Sequence, residues 1–190
     1  MSDISILCGL GNPGARYRNT RHNLGSMILD LMAERRSLSW KTALPTVMEA
    51  RWRIKGREII LLKPLTFMNA SGEALEDYGG VDPASFLVIF DDISLPLGQL
   101  RLRERGGGGG HRGLESIIES LGTDNFARLR LGIGEPPPGI DWSDFVLAPF
   151  LEEERAAVNE MVETAADALE TVLARGLVEA MNRYNRKTSA

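Results

Sequence analysis

The run Phe86-Leu87-Val88-Ile89-Phe90 is apolar at every position and stops at Asp91-Asp92. A strand that is apolar on both sides must be covered on both sides, which points to a central strand of a largely parallel sheet. Shorter strand patterns surround it, at residues 4–8, 47–54, 58–62, 99–103 and 129–133. Between them lie helical i, i+3, i+4 patterns. One runs through Leu24, Met27, Ile28, Leu31 and Met32, and others cover 69–78 and 113–121. A long apolar stripe follows through Val158, Met161, Val162, Ala165, Leu169, Val172 and Leu173. Gly176 ends it, and 177–185 reads as a last short helix. Lys55-Gly56 reads as a hairpin turn, and Pro136-Pro137-Pro138-Gly139 as an irregular loop. Strands alternating with helices imply an α/β fold, a single globular domain over residues 1–190 with a twisted mixed β-sheet flanked by α-helices. With 190 residues the chain can bury one such core.

The longest apolar runs, such as Ile59-Ile60-Leu61-Leu62, are far too short to span a membrane. Asp3, and the lack of a basic stretch before Ile4, speak against a secretory signal, so a cytoplasmic protein is expected. Cys8 is the only cysteine. It can form no internal disulfide and no CxxC site, and is expected as a small core residue. The formal net charge of -4 argues weakly against a polyanion partner. The charges are uneven, however. Arg101, Arg103 and Arg105 alternate along one segment and Arg128 and Arg130 along another, while acids pool in Glu152-Glu153-Glu154 and the C-terminal third. An acidic protein can still bind nucleic acid through a local basic patch. No signature of homo-oligomerisation or of an obligate protein partner is visible, so a monomer is the default.

After the first strand, Gly9-Leu10-Gly11-Asn12-Pro13-Gly14 matches the G-x-G-x-x-G of dinucleotide-binding loops. That fingerprint needs a helix that starts inside the loop, so that its amides meet pyrophosphate. Here Pro13 removes an amide and the helical pattern begins only near His22. The strand at 47–54 ends in basic residues and offers no acid for a ribose hydroxyl. A tight turn explains the glycines, but it does not explain Asn12, Tyr17 and His22 arriving together. His22 is one of two histidines in the chain. Histidine as a residue type titrates at about 6.5 and can take a proton at cellular pH. Among amides and arginines it is a candidate base for an anionic substrate.

Three further stretches bear on function. They are Pro64-Leu65-Thr66-Phe67-Met68-Asn69-Ala70-Ser71-Gly72, Asp91-Asp92-Ile93-Ser94-Leu95-Pro96-Leu97-Gly98 and Gly109-Gly110-His111-Arg112-Gly113-Leu114. Together with the His22 run, Gly132-Ile133-Gly134 and the ending Ala180-Met181-Asn182-Arg183-Tyr184-Asn185, they resemble the bacterial-type peptidyl-tRNA hydrolase family. The resemblance covers nearly the whole chain. It implies a metal-free hydrolase, without cofactor, that cleaves the ester between a peptide's C-terminus and the 3′-ribose of tRNA. Peptidyl-tRNA would be held by its acceptor end and nascent peptide. By resemblance His22 is the general base, and Asp91 holds and stabilises it. Asn12 and Asn69 would contact substrate near the ester, and Asn12 would help separate blocked from free aminoacyl-tRNA. Tyr17 and Phe67 would lie along the acceptor end. Arg103 and Arg130 match positions that grip phosphate.

The residue types suit that chemistry. An ester needs an activated water, an oriented base and a donor for the developing oxyanion. No serine sits in a G-x-S-x-G elbow, and Cys8 has no evident base, so water is the expected nucleophile. Asp91 ends its strand at the carboxyl end, where open α/β sheets place ligands. Asp92 reads as a loop or capping acid. His111 opens a helix after glycines 106–110 and reads as a structural hydrogen-bonding residue. No spacing among His22, His111, Asp91 and Asp92 supports a metal site.

The sequence departs from the family pattern in three places. Arg112 stands where the family usually has an Asn that contacts substrate and the catalytic water. Arginine is longer and only donates. Ser94 replaces a usual Asp, and Phe90 a frequent His. Relatives on this fold also serve as RNA-binding or splicing cofactors, so an RNA-binding module with an idle site is the alternative. Retention of Asn12, His22, Asn69 and Asp91 together favours the enzyme.

Overall fold

The strand that ends in Asp91 lies inside the sheet, as its composition requires. The computed structural model describes residues 4–185 apart from Asp77. Seven strands form one mixed sheet: β1 (Ile6–Gly9), β2 (Lys41–Leu44), β3 (Val47–Ile54), β4 (Arg57–Pro64), β5 (Phe86–Asp92), β6 (Leu100–Arg103) and β7 (Ala127–Gly132). Their spatial order is β2-β3-β4-β1-β5-β7-β6. The central strands β4, β1, β5 and β7 are parallel. Antiparallel partners complete both flanks, β2 and β3 beside β4, and β6 beside β7.

Helices α1 (Leu24–Arg35), α4 (Trp142–Leu147), α5 (Arg155–Arg175) and α6 (Leu177–Tyr184) supply one buried cluster. The short α2 (Glu73–Glu76) and α3 (Arg112–Leu121) supply the other. Successive strand residues point to opposite faces. Accordingly Leu87 and Ile89 join the first cluster, and Phe86, Val88 and Phe90 the second. Continuing that alternation puts Asp91 on the α1 face and Asp92 on the α3 face.

Close backbone approach seats α1. A Cβ on Gly25 would lie 2.2 Å from the Ile89 carbonyl oxygen. Only glycine lets this turn rest directly on β5, and the turn just ahead of it carries His22. At the β3–β4 hairpin Lys55 (φ 49°) and Gly56 (φ 79°) are both left-handed, as a two-residue hairpin turn demands.

Some expected elements differ. The helix expected over 69–78 is a 3-10 turn at Met68–Ala70 followed by α2, and Asp77 lies outside the described residues. Gly72 interrupts it by packing on α3, where a Cβ would meet the Ser116 carbonyl. Two elements were not expected at all. The exposed β2 lacks an alternating pattern, and α4 follows the proline run. No helix among the described residues is long and apolar enough to cross a membrane.

Candidate active site

The carboxyl end of β5 opens onto a cavity of about 590 Å³, lined by His22, Asp91 and a wall of arginines. His22 sits in a 3-10 turn, Arg21–Asn23, and is only 7% exposed. Its Nδ1 lies 2.8 and 2.9 Å from the two oxygens of Asp91, which is buried at 2% exposure. A carboxylate only accepts, so Nδ1 carries the hydrogen and Nε2 carries the lone pair. Burial disfavours the charge on Asp91. The positive field of His22 and hydrogen bonds from His111 and His22 outweigh it and hold the carboxyl well below the usual carboxylate range.

His111 is the second partner. As expected, it caps a helix: its Nδ1 accepts from the Leu114 N–H at 3.2 Å. That places its proton on Nε2, which lies 3.2 Å from Asp91 Oδ1. The contact to Asp91 was not legible in the sequence, because it joins a helix cap to a strand end. The two imidazoles are 4.9 Å apart, and His111 meets Phe90 edge-on at 5.0 Å. Ligand atoms of His22, Asp91 and His111 lie within 4.8 Å of one another, which is close enough to share an ion. The cap argues against it: to ligate through Nε2, His111 would have to move its proton to Nδ1, against the Leu114 N–H.

Asn12 is locked from three sides. Its main-chain N–H donates to Asn23 Oδ1 at 2.9 Å, and Asn23 Nδ2 donates to its carbonyl at 3.0 Å. Its side-chain oxygen accepts from the Met68 N–H at 2.8 Å. The Nδ2 donor is thereby left for a ligand. Asn12 lines a second cavity of about 230 Å³ along the glycine loop. Asn69 is exposed in the turn that begins with Met68, and Phe67 just before it is 57% exposed. Tyr17 stacks with Arg16 at 4.4 Å and hydrogen-bonds to it. Tyr17, Phe67 and Asn69 line neither cavity.

The arginines divide into two groups. Arg101 faces Arg130 across the β6–β7 ladder, and Arg103 faces Arg128. Arg103 is exposed and lines the large cavity. Arg130 lines it too, held by Asp92 Oδ2 at 2.6 Å and Ser94 Oγ at 3.0 Å. Asp92 also accepts from the Ser94 N–H and hydroxyl at 2.8 and 2.6 Å, so it organises the loop after β5. Burial works against its ionisation, but Arg130 and Ser94 more than compensate and lower its pKa. Arg128, the other arginine of that basic segment, is turned to a structural use. It is 2% exposed, and its guanidinium bonds the carbonyls of Gly107 and Asp124 at 3.1 and 2.9 Å. It ties the glycine loop to the sheet.

Arg112 is exposed at the first turn of α3 and points its guanidinium over the Trp142 ring, 5.3 Å from its centre. It spans from α3 to α4 across the cavity. Asp141 caps α4 by accepting from the Ser143 N–H at 2.8 Å. That Asp-x-Ser pattern was the available signal for α4 and for Trp142 and Val146 as cavity walls. Arg21 has a structural role that no sequence pattern signals: buried at 3% exposure, it bonds Glu154 at 2.6 Å and stacks on Phe145 and Phe150. It fastens the His22 turn to the segment after α4.

Among known proteins, the family model described as peptidyl-tRNA hydrolase matches residues 6–190. A peptidyl-tRNA hydrolase of Chloroflexus aggregans (strain MD-66 / DSM 9485) is 47% identical over 184 residues, covering 95% of this chain and 98% of its own. That of Bacillus subtilis (strain 168) is 41% identical over 185 residues, covering 96% and 98%. The crystal structure of peptidyl-tRNA hydrolase from Acinetobacter baumannii superposes with a TM-score of 0.89 at 33% identity, covering 97% of this chain and 96% of that one. A complex of peptidyl-tRNA hydrolase with N-propanol gives a TM-score of 0.90 at 32% identity, covering 100% and 98%.

Proposed function

The chain belongs to the peptidyl-tRNA hydrolase family, and from that premise we propose how its own residues perform the hydrolysis of peptidyl-tRNA. The family match does not favour the alternative of an RNA-binding module with an idle site. The observation that carries the proposal is the His22–Asp91 pair at the cavity floor, with Nδ1 committed to the carboxylate.

His22 Nε2 takes a proton from water, whose oxygen attacks the ester carbonyl. The imidazolium that forms is stabilised by Asp91, as a buried carboxylate does for a catalytic histidine. Negative charge gathers on the carbonyl oxygen, and Asn12 Nδ2 is its donor, because the Asn12 oxygen is occupied by Met68. When the tetrahedral species collapses, the His22 proton passes to the departing 3′-oxygen of the ribose. His111, capping α3 and donating to Asp91, keeps that carboxylate from rotating.

Arg103 and Arg130 hold phosphates of the acceptor end. Tyr17, Phe67 and Asn69, exposed or half-exposed on the turns either side of Asn12, extend the contact with substrate. Arg112 contacts substrate at the cavity mouth. Residues 1–190 act as one hydrolase domain, a cytoplasmic monomer without metal or other cofactor. Cys8 takes no part: it is buried, and burial pushes its thiol up to about 12. The test is mass spectrometry of protein quenched during turnover of a defined peptidyl-tRNA. Water attack leaves the protein mass unchanged, and an acyl adduct would overturn the mechanism.

A further inference from the structure

β6 is a four-residue edge strand that pairs with β7 along one side only. Its other side is closed by a side chain. Asn185, just after α6, accepts the Leu102 N–H on its Oδ1 at 2.7 Å and donates from Nδ2 to the Leu102 carbonyl at 2.9 Å. The side-chain amide therefore does at Leu102 what a neighbouring strand would do. Leu102 is fully buried, and its neighbours Arg101 and Arg103 project from the opposite face of β6.

The strand needs this restraint. Arg101 lies opposite Arg130, and Arg103 opposite Arg128. Like charges directly across a ladder push its strands apart. The repulsion acts on the two residues that flank Leu102. The Arg103 side chain makes no hydrogen bond or ion pair with any described residue, so its position follows its own backbone. That backbone is fixed by β7 on one side and by Asn185 on the other.

We propose that Asn185 is a positioning residue for tRNA binding: it pins Leu102 and so sets where Arg103 presents its guanidinium to phosphate. This rests on the assignment of Arg103 to the phosphate grip. Only an amide of this length offers both a donor and an acceptor to one residue's backbone.

The experiment is steady-state kinetics on one defined peptidyl-tRNA at several salt concentrations, with thermal melting to verify folding. Asn185→Ala is expected to raise KM about threefold to tenfold, the size of a lost hydrogen-bonded restraint, with kcat little changed. The salt dependence of kcat/KM flattens, because fewer phosphate contacts form. Combining Asn185→Ala with Arg103→Ala adds little to the KM of Arg103→Ala alone, since both act through one guanidinium. Asn185→Gln, with both amide groups on a longer stem, recovers part of the loss and decides the matter if the alanine variant does not fold. A parental KM and salt slope in a folded Asn185 variant, while Arg103→Ala raises KM, overturns the role of Asn185 alone. Effects that multiply in the double variant overturn it too. A parental KM for Arg103→Ala removes the phosphate grip itself, and this inference with it.

Discussion

His22 and Asp91, 69 positions apart in the chain, meet with one ring nitrogen between two carboxylate oxygens at 2.8 and 2.9 Å. The near-equal distances hold the ring from both sides. Gly25 makes the approach possible, because any side chain there would strike the Ile89 carbonyl and lift the His22 turn off β5. The pair is thus a consequence of backbone packing as much as of side-chain chemistry.

Asp91→Asn is expected to cut turnover by on the order of 10²–10⁴-fold while the protein stays folded. Both His22 and His111 donate to Asp91, and an amide can accept from both only by turning its own N–H₂ away. In the other orientation the amide nitrogen faces a ring N–H, and that imidazole has to change tautomer. Rates on a defined peptidyl-tRNA, with NMR of the imidazole nitrogens, check this. Parental turnover with unchanged tautomers would remove Asp91 as the partner.

Acid stability follows from the same carboxyl. Its folded pKa is depressed, so its contribution is full above the unfolded value of about 3.9 and fades as pH falls through it toward the folded one. Melting temperatures of the parent and Asp91→Asn, measured from pH 6 downward, are expected to converge below about pH 4. A gap that stays constant to the lowest pH would show that Asp91 is not held ionised by its neighbours.

Much of this architecture is legible in the sequence, for definable reasons. A strand buried on both faces must be apolar throughout, so β5 and the acid at its end stand out. One-sided exposure makes β6 alternate, so Arg101 and Arg103 stand out too. Arg128 and Arg130 share that alternation and both border the cavity, yet Arg128 is buried and Arg130 is half-exposed. What buries Arg128 is the glycine loop folded over it, and a loop's path leaves no periodic trace. The contact of His111 with Asp91 is hidden for the same reason, since it depends on where α3 docks. The α4 wall was masked by the proline run before it, although its Asp141 cap was readable.

Arg112→Asn, which restores the usual family residue, is expected to leave a working hydrolase. Arg112 bonds neither His22 nor Asp91; its guanidinium lies over the exposed Trp142 ring, and its charge acts on Asp141. An exposed cation–π contact contributes about 0.5–1 kcal/mol, so kcat is expected to stay within about fivefold of the parent. Steady-state kinetics decide it. A collapse in kcat in a folded variant would place Arg112 on the transition state.

The most direct test of the account is single-turnover hydrolysis of a defined peptidyl-tRNA by His22→Ala, with tRNA affinity measured on the same preparation. No other described residue offers a free imidazole nitrogen to the cavity beside Asp91, because His111 spends both of its nitrogens on Leu114 and Asp91. The predicted result is a loss of ~10²–10⁴-fold in the hydrolytic step, with tRNA affinity retained. Hydrolysis near the parental rate would contradict His22 as the base that activates water.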